Sequence, residues 1–546
     1  MNSNFEIPMS DARRRMEERK KKLFGGTIPS QPRPRTEPRD SRHRDKNGRF
    51  ATEPKEEEKK KSILDTIANV SQSLKKKIGI DYSADIRKKL HGLYDLIQDR
   101  ALYIAPEKNI QFGLAKSFPL NDNESENIDI YEKGYNAPLL LSILVGLVEK
   151  GTMISFGPPG AGKTTSAEIV GHFIYDQSIN NIFNATIYGN PELTREEMIA
   201  RLHTGKLMHG IEEVIQREFT DSPVKILDEI NRIPPGTLSS LYQTIDRGLA
   251  KYYEKVIMLK DGPIYATANA PDSGNWPLPP PVRDRFDIAV VAGELNPTFI
   301  SHLTRGGSIT DRLNIPKELK LEVGSHKIVR EAINDVDIES EAMNHLIFFI
   351  SMMNYCDQAG IDPAYKTKAN AMVMKPGRQL CGKCHYKNSI CAYTEEAISP
   401  RSYKAIVTYA KALAWWRGKK TADVEDIKQI APYAVWHKLT LTDQAKKKNQ
   451  QYVNARIEFV KECFEESQKI YNQSKASVPK LGEIISSIVK SYDLICKKDS
   501  NGGFSDDEKL KLKAEIEGHF GEIKKLDTIA KWPIAVGLKF VYERIK

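Results

Sequence analysis

One octapeptide constrains this chain more than any other stretch: Gly157-Pro158-Pro159-Gly160-Ala161-Gly162-Lys163-Thr164, followed by Thr165. It fits the pattern GxxxxGK[ST] and stands between a short β-rich run at 153–156 and a stretch with helical character, the context in which such a loop cradles phosphates. Glycines let the backbone turn tightly and aim successive N–H groups at one anion, and the helix that follows adds its positive N-terminal end. Lys163 is then expected to reach the β and γ phosphates, and the Thr164 hydroxyl to be a Mg²⁺ ligand. A chain built around this loop needs a strand, a tight turn and a helix in succession.

The neighbouring sequence supplies them. Further β-rich runs at 185–188, 224–227, 264–268 and 288–291 alternate with helical stretches, which predicts a parallel sheet covered by helices. The expected organisation is a charged, disordered arm over 1–61 and a helical N-terminal region over 62–127. An α/β nucleotide-binding domain over 128–295, a helical lid over 296–440 and a C-terminal helical domain over 441–546 follow. Ile63, Ile67, Val70, Leu74 and Ile78, then Ile86, Leu90, Leu93 and Ile97, carry the helical spacing before Pro106. The apolar run 137–148 is too short to span a bilayer and reads as a buried helix. C-terminal helices are expected at 450–471, 480–497 and 505–530, the last opened by a Ser505/Glu508 capping box after a hinge at 498–503. Leu481, Ile485, Ile488, Tyr492 and Ile495 suit either a partner groove or packing within the chain.

The run 224–227 ends in Asp228 and Glu229, and carboxyl ends of parallel strands are where such sheets bind ligands. Asp228 is expected to hold Mg²⁺, directly or through water, and Glu229 to act as the base that polarises the attacking water. Lys225 interrupts the apolar run, which predicts a strand not covered on both faces. Asn269, just after 264–268, offers an uncharged amide at a third strand end.

Taken in order, these features resemble an AAA+ ATPase, and more closely its MoxR branch. The stretches that carry the likeness are the phosphate loop, GNPELTREEM at 189–198, LDEINRIPPGTLSSLYQTID at 227–246 and ATANAPD at 266–272. PLPPPVRDRFD at 277–287, SPRS at 399–402 and APYAVWHKL at 431–439 complete them. The resemblance implies an ATP- and Mg²⁺-dependent ATPase. Asn269 would be its sensor 1 residue, Arg401 a sensor 2 residue carried by the lid, and Arg285 an arginine finger reaching a neighbouring subunit's γ phosphate. Arg283 could trade places with Arg285, and Arg247 is a further candidate. It also implies a ring, usually of six subunits, with a helix 2 insertion at 193–219 and a hairpin at 252–264 facing its axis. The expected role is remodelling of a client protein, by assembly or by cofactor or metal insertion. A von Willebrand factor A partner would be a separate chain, since no DxSxS string occurs here.

Cys381, Cys384 and Cys391, with Cys356 upstream, form a CxxC-centred set. Four thiolates suit a structural Zn²⁺ first and an iron–sulfur cluster second, and unmetallated thiols are the remaining alternative. CxxCH is also a haem-attachment string, but that chemistry needs an exported protein. Cys463 and Cys496 fall on helical patterns and read as buried spacers. Of the net charge of +10, +7 belongs to the arm, which has 18 Lys and Arg against 11 Asp and Glu. A nucleic-acid partner is therefore an expectation about the arm alone, and a DNA-associated translocase or replication accessory is the alternative function. With no membrane span and no secretory pattern at 1–10, the expected location is the cytoplasm.

Overall fold

A computed structural model describes residues 82–100, 102–103, 107–120, 127–269, 276–293, 296–301, 313–374, 381–499 and 505–545. The chain divides into two compact units, Met1–Leu74 and Lys75–Lys546, and all described residues lie in the second. The arm, the first helical stretch at 63–78 and residues 500–503 of the expected hinge fall outside them, whereas 498 and 499 continue the helix Leu481–Asp499.

Helix α1 (Tyr82–Asp99) buries Ile86, Leu90, Leu93 and Ile97, the four positions the spacing selects. A long antiparallel hairpin follows, β1 (Ile110–Pro119) with β2 (Asn127–Tyr135). It crosses the domain boundary expected at 127. Its sequence gives little warning, because the hairpin stands mostly in solvent and Leu114, Phe118, Ile128 and Ile130 are all exposed. Alternation between a core face and a water face, the usual strand signal, is therefore missing. Helix α2 (Ala137–Leu147) is buried on every side, as an all-apolar helix must be. The Asn136 side chain caps it through the Leu139 N–H, 2.9 Å away.

The central sheet has five parallel strands in the order β11-β3-β10-β7-β4. These are β3 (Thr152–Phe156), β4 (Thr186–Tyr188), β7 (Lys225–Asp228), β10 (Ile264–Ala268) and β11 (Ile288–Val291), close to the runs read from sequence. Two small hairpins, β5–β6 (Ala200–Leu202, Val214–Gln216) and β8–β9 (Leu249–Tyr252, Lys255–Met258), are inserted between them. All five sheet strands point the same way, so their carboxyl ends share one edge and their amino ends the other.

Lys225 does not leave β7 uncovered. It is 1% exposed, and its ammonium reaches the Lys260 carbonyl at 2.5 Å. The aliphatic stem packs as an apolar side chain would while the head finds an acceptor at the strand's start. Burial holds its pKa down to about 8.

The lid rests on helices Pro400–Trp416 and Val424–Val435, the second opened by an Asp423/Asp426 capping box. Trp436 donates its indole N–H to the Ala289 carbonyl of β11 and stacks edgewise on Phe156, which ties the lid to the sheet. Among the described residues between 355 and 399 the regular elements are short: the helix Lys368–Met374 and single turns at Pro363–Tyr365, Cys381–Lys383 and Ile390–Ala392. The C-terminal region comprises helices Arg456–Ser477, Leu481–Asp499, Asp506–Ile523 and Lys531–Arg544. The capping box at Ser505/Glu508 is present. Leu481, Ile485 and Ile495 are buried with Phe348 of the lid and Ile534 and Leu538 of the last helix, so their spacing serves packing within the chain. Among the described residues no helix is long and apolar enough to cross a membrane.

Candidate functional site

The phosphate loop leaves the carboxyl end of β3 and runs into helix α3 (Lys163–Phe173). Gly160 and Gly162 adopt positive φ of 80° and 73°, a region side chains other than glycine enter at a cost. At Gly157 a Cβ would lie 2.6 Å from the Ala292 carbonyl. No side chain caps α3, so its first-turn N–H groups remain for an anion. The Lys163 ammonium is folded onto the loop's own carbonyls, 3.0 Å from Gly157 and 2.7 Å from Pro158. Burial pulls its pKa down, against the pull of Asp228 and Glu229. Tyr103 packs over Gly162, a contact the sequence did not announce.

Asp228 ends β7 beside this loop. Its Oδ1 accepts from the Thr164 hydroxyl at 2.8 Å and from the Thr267 hydroxyl of β10 at 2.6 Å. Hydroxyl and carboxylate oxygens alone are the donor set that suits Mg²⁺, so Thr164 and Asp228 fit the ion expected there. Glu229 follows with φ of 52°, a left-handed conformation uncommon outside glycine. Its backbone N–H is held by Thr267 Oγ1 at 2.9 Å. Oε1 accepts from Asn269 Nδ2 at 2.5 Å, and Oε2 pairs with Arg232 at 2.9 Å. Asn269 is itself fixed by two bonds with Asn231. A Cβ on Gly189 would lie 2.1 Å from the Glu229 carbonyl oxygen, so only glycine fits there. The backbone strain at Glu229 is thus held by contacts on three sides, as strained residues at reactive sites usually are.

The arginines occupy the other edge of the sheet. The Arg285 carbonyl accepts from Thr152 Oγ1, at the start of β3, at 3.1 Å, while the phosphate loop begins after the end of that strand. Five residues at about 3.3 Å each separate the two ends by roughly 15 Å. The Arg285 side chain lies over the Tyr242 ring, 4.7 Å from its centroid, and donates to the Tyr242 carbonyl at 3.2 Å and to that of Pro281. Arg401 sits with it: Nε and Nη2 take the Asp246 carboxylate at 3.1 and 2.9 Å, and Nη1 takes Asp284 at 2.9 Å. Arg283 instead donates to the His437 carbonyl at 2.9 Å and is partly buried. Arg247 is exposed at the end of its helix.

The sequence comparisons agree with this geometry. The family model of the AAA domain, dynein-related subfamily, matches residues 153–286, and that of the AAA lid domain matches 389–457. Chaperone MoxR1 of Mycobacterium tuberculosis is 25% identical over 311 residues, covering 56% of this chain and 72% of that protein. Residues 153–286 and 389–457 thus match an AAA domain and its lid, and the chain is similar to a MoxR chaperone. An uncharacterized protein of Bacillus subtilis, YeaC, is 25% identical over 339 residues, covering 60% of this chain and 89% of its own. An ATPase candidate from Cytophaga hutchinsonii, known as a crystal structure, aligns with a TM-score of 0.46 and 18% identity, over 71% of this chain and 97% of its own.

Within the AAA+ module the two inserted hairpins carry exposed apolar residues: Leu207, Met208 and Ile211 on the first, Tyr253, Val256 and Met258 on the second. The second begins at Leu249, three residues earlier than expected from sequence, because its strands pair on both sides of a tight turn at Tyr253.

The lid's cysteines gather without forming a ligand set. Burial lifts the Cys384 thiol and carries that of Cys391 to about 12, with Cys356 and Cys381 close enough to add to both rises. Among the described residues no group of three or more His, Cys, Asp or Glu is arranged to hold a metal ion, so the Zn²⁺ and iron–sulfur expectations gain no support. His385, the histidine next to Cys384 and a less favoured fourth ligand by sequence, lies 3.4 Å from Asp527. Cys463 is buried as expected, but Cys496 is exposed.

Proposed function

We propose that the chain hydrolyses ATP to ADP and phosphate, in a site that one copy binds with and a neighbouring copy completes, and uses the cycle to remodel a client protein. The observation that carries the reading is the separation of the two sets of residues. Lys163, Thr164, Asp228, Glu229 and Asn269 meet at the carboxyl edge of the sheet, while Arg285 and Arg401 lie at the amino edge, about 15 Å of strand away. Arginines so held cannot swing onto their own chain's phosphate loop, so they serve the triphosphate of the next copy.

In this reading the loop N–H groups and Lys163 grip the β and γ phosphates. Thr164 and Asp228 would hold Mg²⁺, which would supply positive charge to offset that of the phosphates. Glu229 takes the proton of the attacking water, and Asn269 fixes the carboxylate that receives it. Arg285 and Arg401 neutralise charge that develops on the γ phosphate, which makes turnover depend on assembly. A closed ring, six-membered as the family resemblance suggests, gives every copy one such neighbour. Client remodelling is supported by the similarity to a protein named a chaperone and by the exposed Met208 and Tyr253 hairpins. The cytoplasm is the proposed location, and a separate von Willebrand factor A chain the proposed partner. The DNA-translocase alternative rests on the basic arm, outside the described residues, and no observation favours it.

The test is steady-state ATPase activity with Glu229→Gln beside the unmutated chain. Turnover should fall at least a hundredfold while MgATP binding persists. Equal turnover in both would sink the assignment of the base.

A further inference from the structure

The two arginines at the amino edge are not loose side chains. One short helix, Tyr242–Arg247, holds both. Tyr242 contributes its carbonyl and ring face to Arg285. One turn later Asp246 takes Arg401 through two parallel N–H···O bonds, the fork geometry in which guanidinium and carboxylate match best. Positions i and i+4 share a helix face, so the two arginines are brought to one side. Asp284 closes the arrangement. It precedes Arg285 in sequence, accepts from the third Arg401 nitrogen, and accepts from Ser399 Oγ at 2.5 Å.

These bonds join different parts of the molecule. Arg401 and Ser399 belong to the lid, Asp246 and Asp284 to the α/β domain. The Arg401 side chain is 44% exposed, so it is presented rather than buried, and Asp246 and Asp284 are 25% and 24% exposed. The two carboxylates offset the charge of the Arg401 guanidinium until an anion arrives. Each long side chain loses rotamer freedom when it engages a phosphate, a loss that a preformed orientation reduces.

We propose that Asp246, with Tyr242 and Asp284, is a positioning residue that sets Arg401 and Arg285 as one unit for the nucleotide of the adjoining copy, and that the same bonds couple lid position to hydrolysis. This rests on the reading of the arginines given above. None of the three residues touches the nucleotide; they act through the arginines.

The experiment measures ATP turnover against protein concentration for the full chain carrying Asp246→Ala, Asp246→Glu, Arg401→Ala, Arg285→Ala and the double change Asp246→Ala with Arg401→Ala. Asp246→Ala should lower kcat about tenfold, with KM and MgATP affinity within about twofold of the unmutated chain. Asp246→Glu should restore most of the loss. The double variant should be no worse than Arg401→Ala, because the carboxylate acts only through that guanidinium. Full turnover in Asp246→Ala, or losses that multiply in the double variant, would overturn the proposal. Should Asp246→Ala fold poorly, the isosteric Asp246→Asn is read by the same criteria. If Arg285→Ala and Arg401→Ala both keep full turnover, the neighbour-completed site itself fails, and this inference with it. If they lose turnover and Asp246→Ala does not, only the positioning role fails.

Discussion

The two edges of the parallel sheet are built in opposite ways. At the carboxyl edge the polar groups bond largely among themselves: Thr164 and Thr267 bond Asp228, Asn269 bonds Glu229, and Lys163 folds onto its own loop. At the amino edge, Arg285 and Arg401 are held by Tyr242, Asp246 and Asp284, with no member of the phosphate site among those partners. In the proposed reading one edge receives a nucleotide and the other is offered to one. On the proposed reading binding and completion reside on separate surfaces of the chain, so a single copy is expected to bind well and turn over poorly.

The largest effect should come from the receiving edge. Lys163→Ala removes the cation that meets the β and γ phosphates, and MgATP affinity measured by calorimetry should fall by a hundredfold or more. Unchanged affinity would mean that the loop does not hold the triphosphate. Thr267→Val is a finer probe of the same edge. It removes the hydroxyl that donates to Asp228 and accepts from the Glu229 N–H, leaving that N–H without its partner at a cost of about 1–3 kcal/mol. Turnover should drop about tenfold or more with binding largely kept. Normal turnover would show that Glu229 keeps its strained backbone without that bond.

The smallest effect on activity is expected at the start of β7, the strand whose other end carries Asp228. Lys225 has its pKa held down to about 8 by burial, against 10.5 in the unfolded chain. Between those values the unfolded state binds more protons than the folded one, so stability should rise as pH increases from about 8 to 10.5, by up to about 3 kcal/mol. Lys438, similarly held down to about 8, adds a rise of its own. The measurement is therefore a difference: urea unfolding of Lys225→Met should show a shallower rise than the unmutated chain, and identical slopes would contradict the burial argument.

The receiving edge was legible in the sequence because its chemistry is contiguous. Eight loop residues in fixed spacing, and two carboxylates ending an apolar run, announce their role without tertiary information. Thr267 and Arg232 were not legible, since a strand threonine and a helix-turn arginine become functional only when β10 meets β7 and the chain turns after Glu229. The offering edge was half legible. Family resemblance selected Arg285 and Arg401, but Tyr242, Asp246 and Asp284 emerge only from the fold. Lys225 read as a break in its strand because composition does not show a stem packing inward with its head bonded. The β1–β2 hairpin escaped because water surrounds most of it, and the helix Lys531–Arg544 because Pro533 and Gly537 weaken its local signal while Ile534, Leu538 and Val541 are buried by packing. The CxxC spacing suggests a metal, yet among the described residues no group of three or more His, Cys, Asp or Glu is arranged to hold one.

The central claim is that one copy's nucleotide is completed by another copy's arginines. Mixing Lys163→Ala with Arg285→Ala tests it most directly, since the first keeps only the offering edge and the second only the receiving edge. Each should be nearly inactive alone, and equal mixtures should recover ATP turnover in proportion to the interfaces that pair an intact loop with an intact arginine. Mixtures that remain at the sum of the two separate rates would contradict the account.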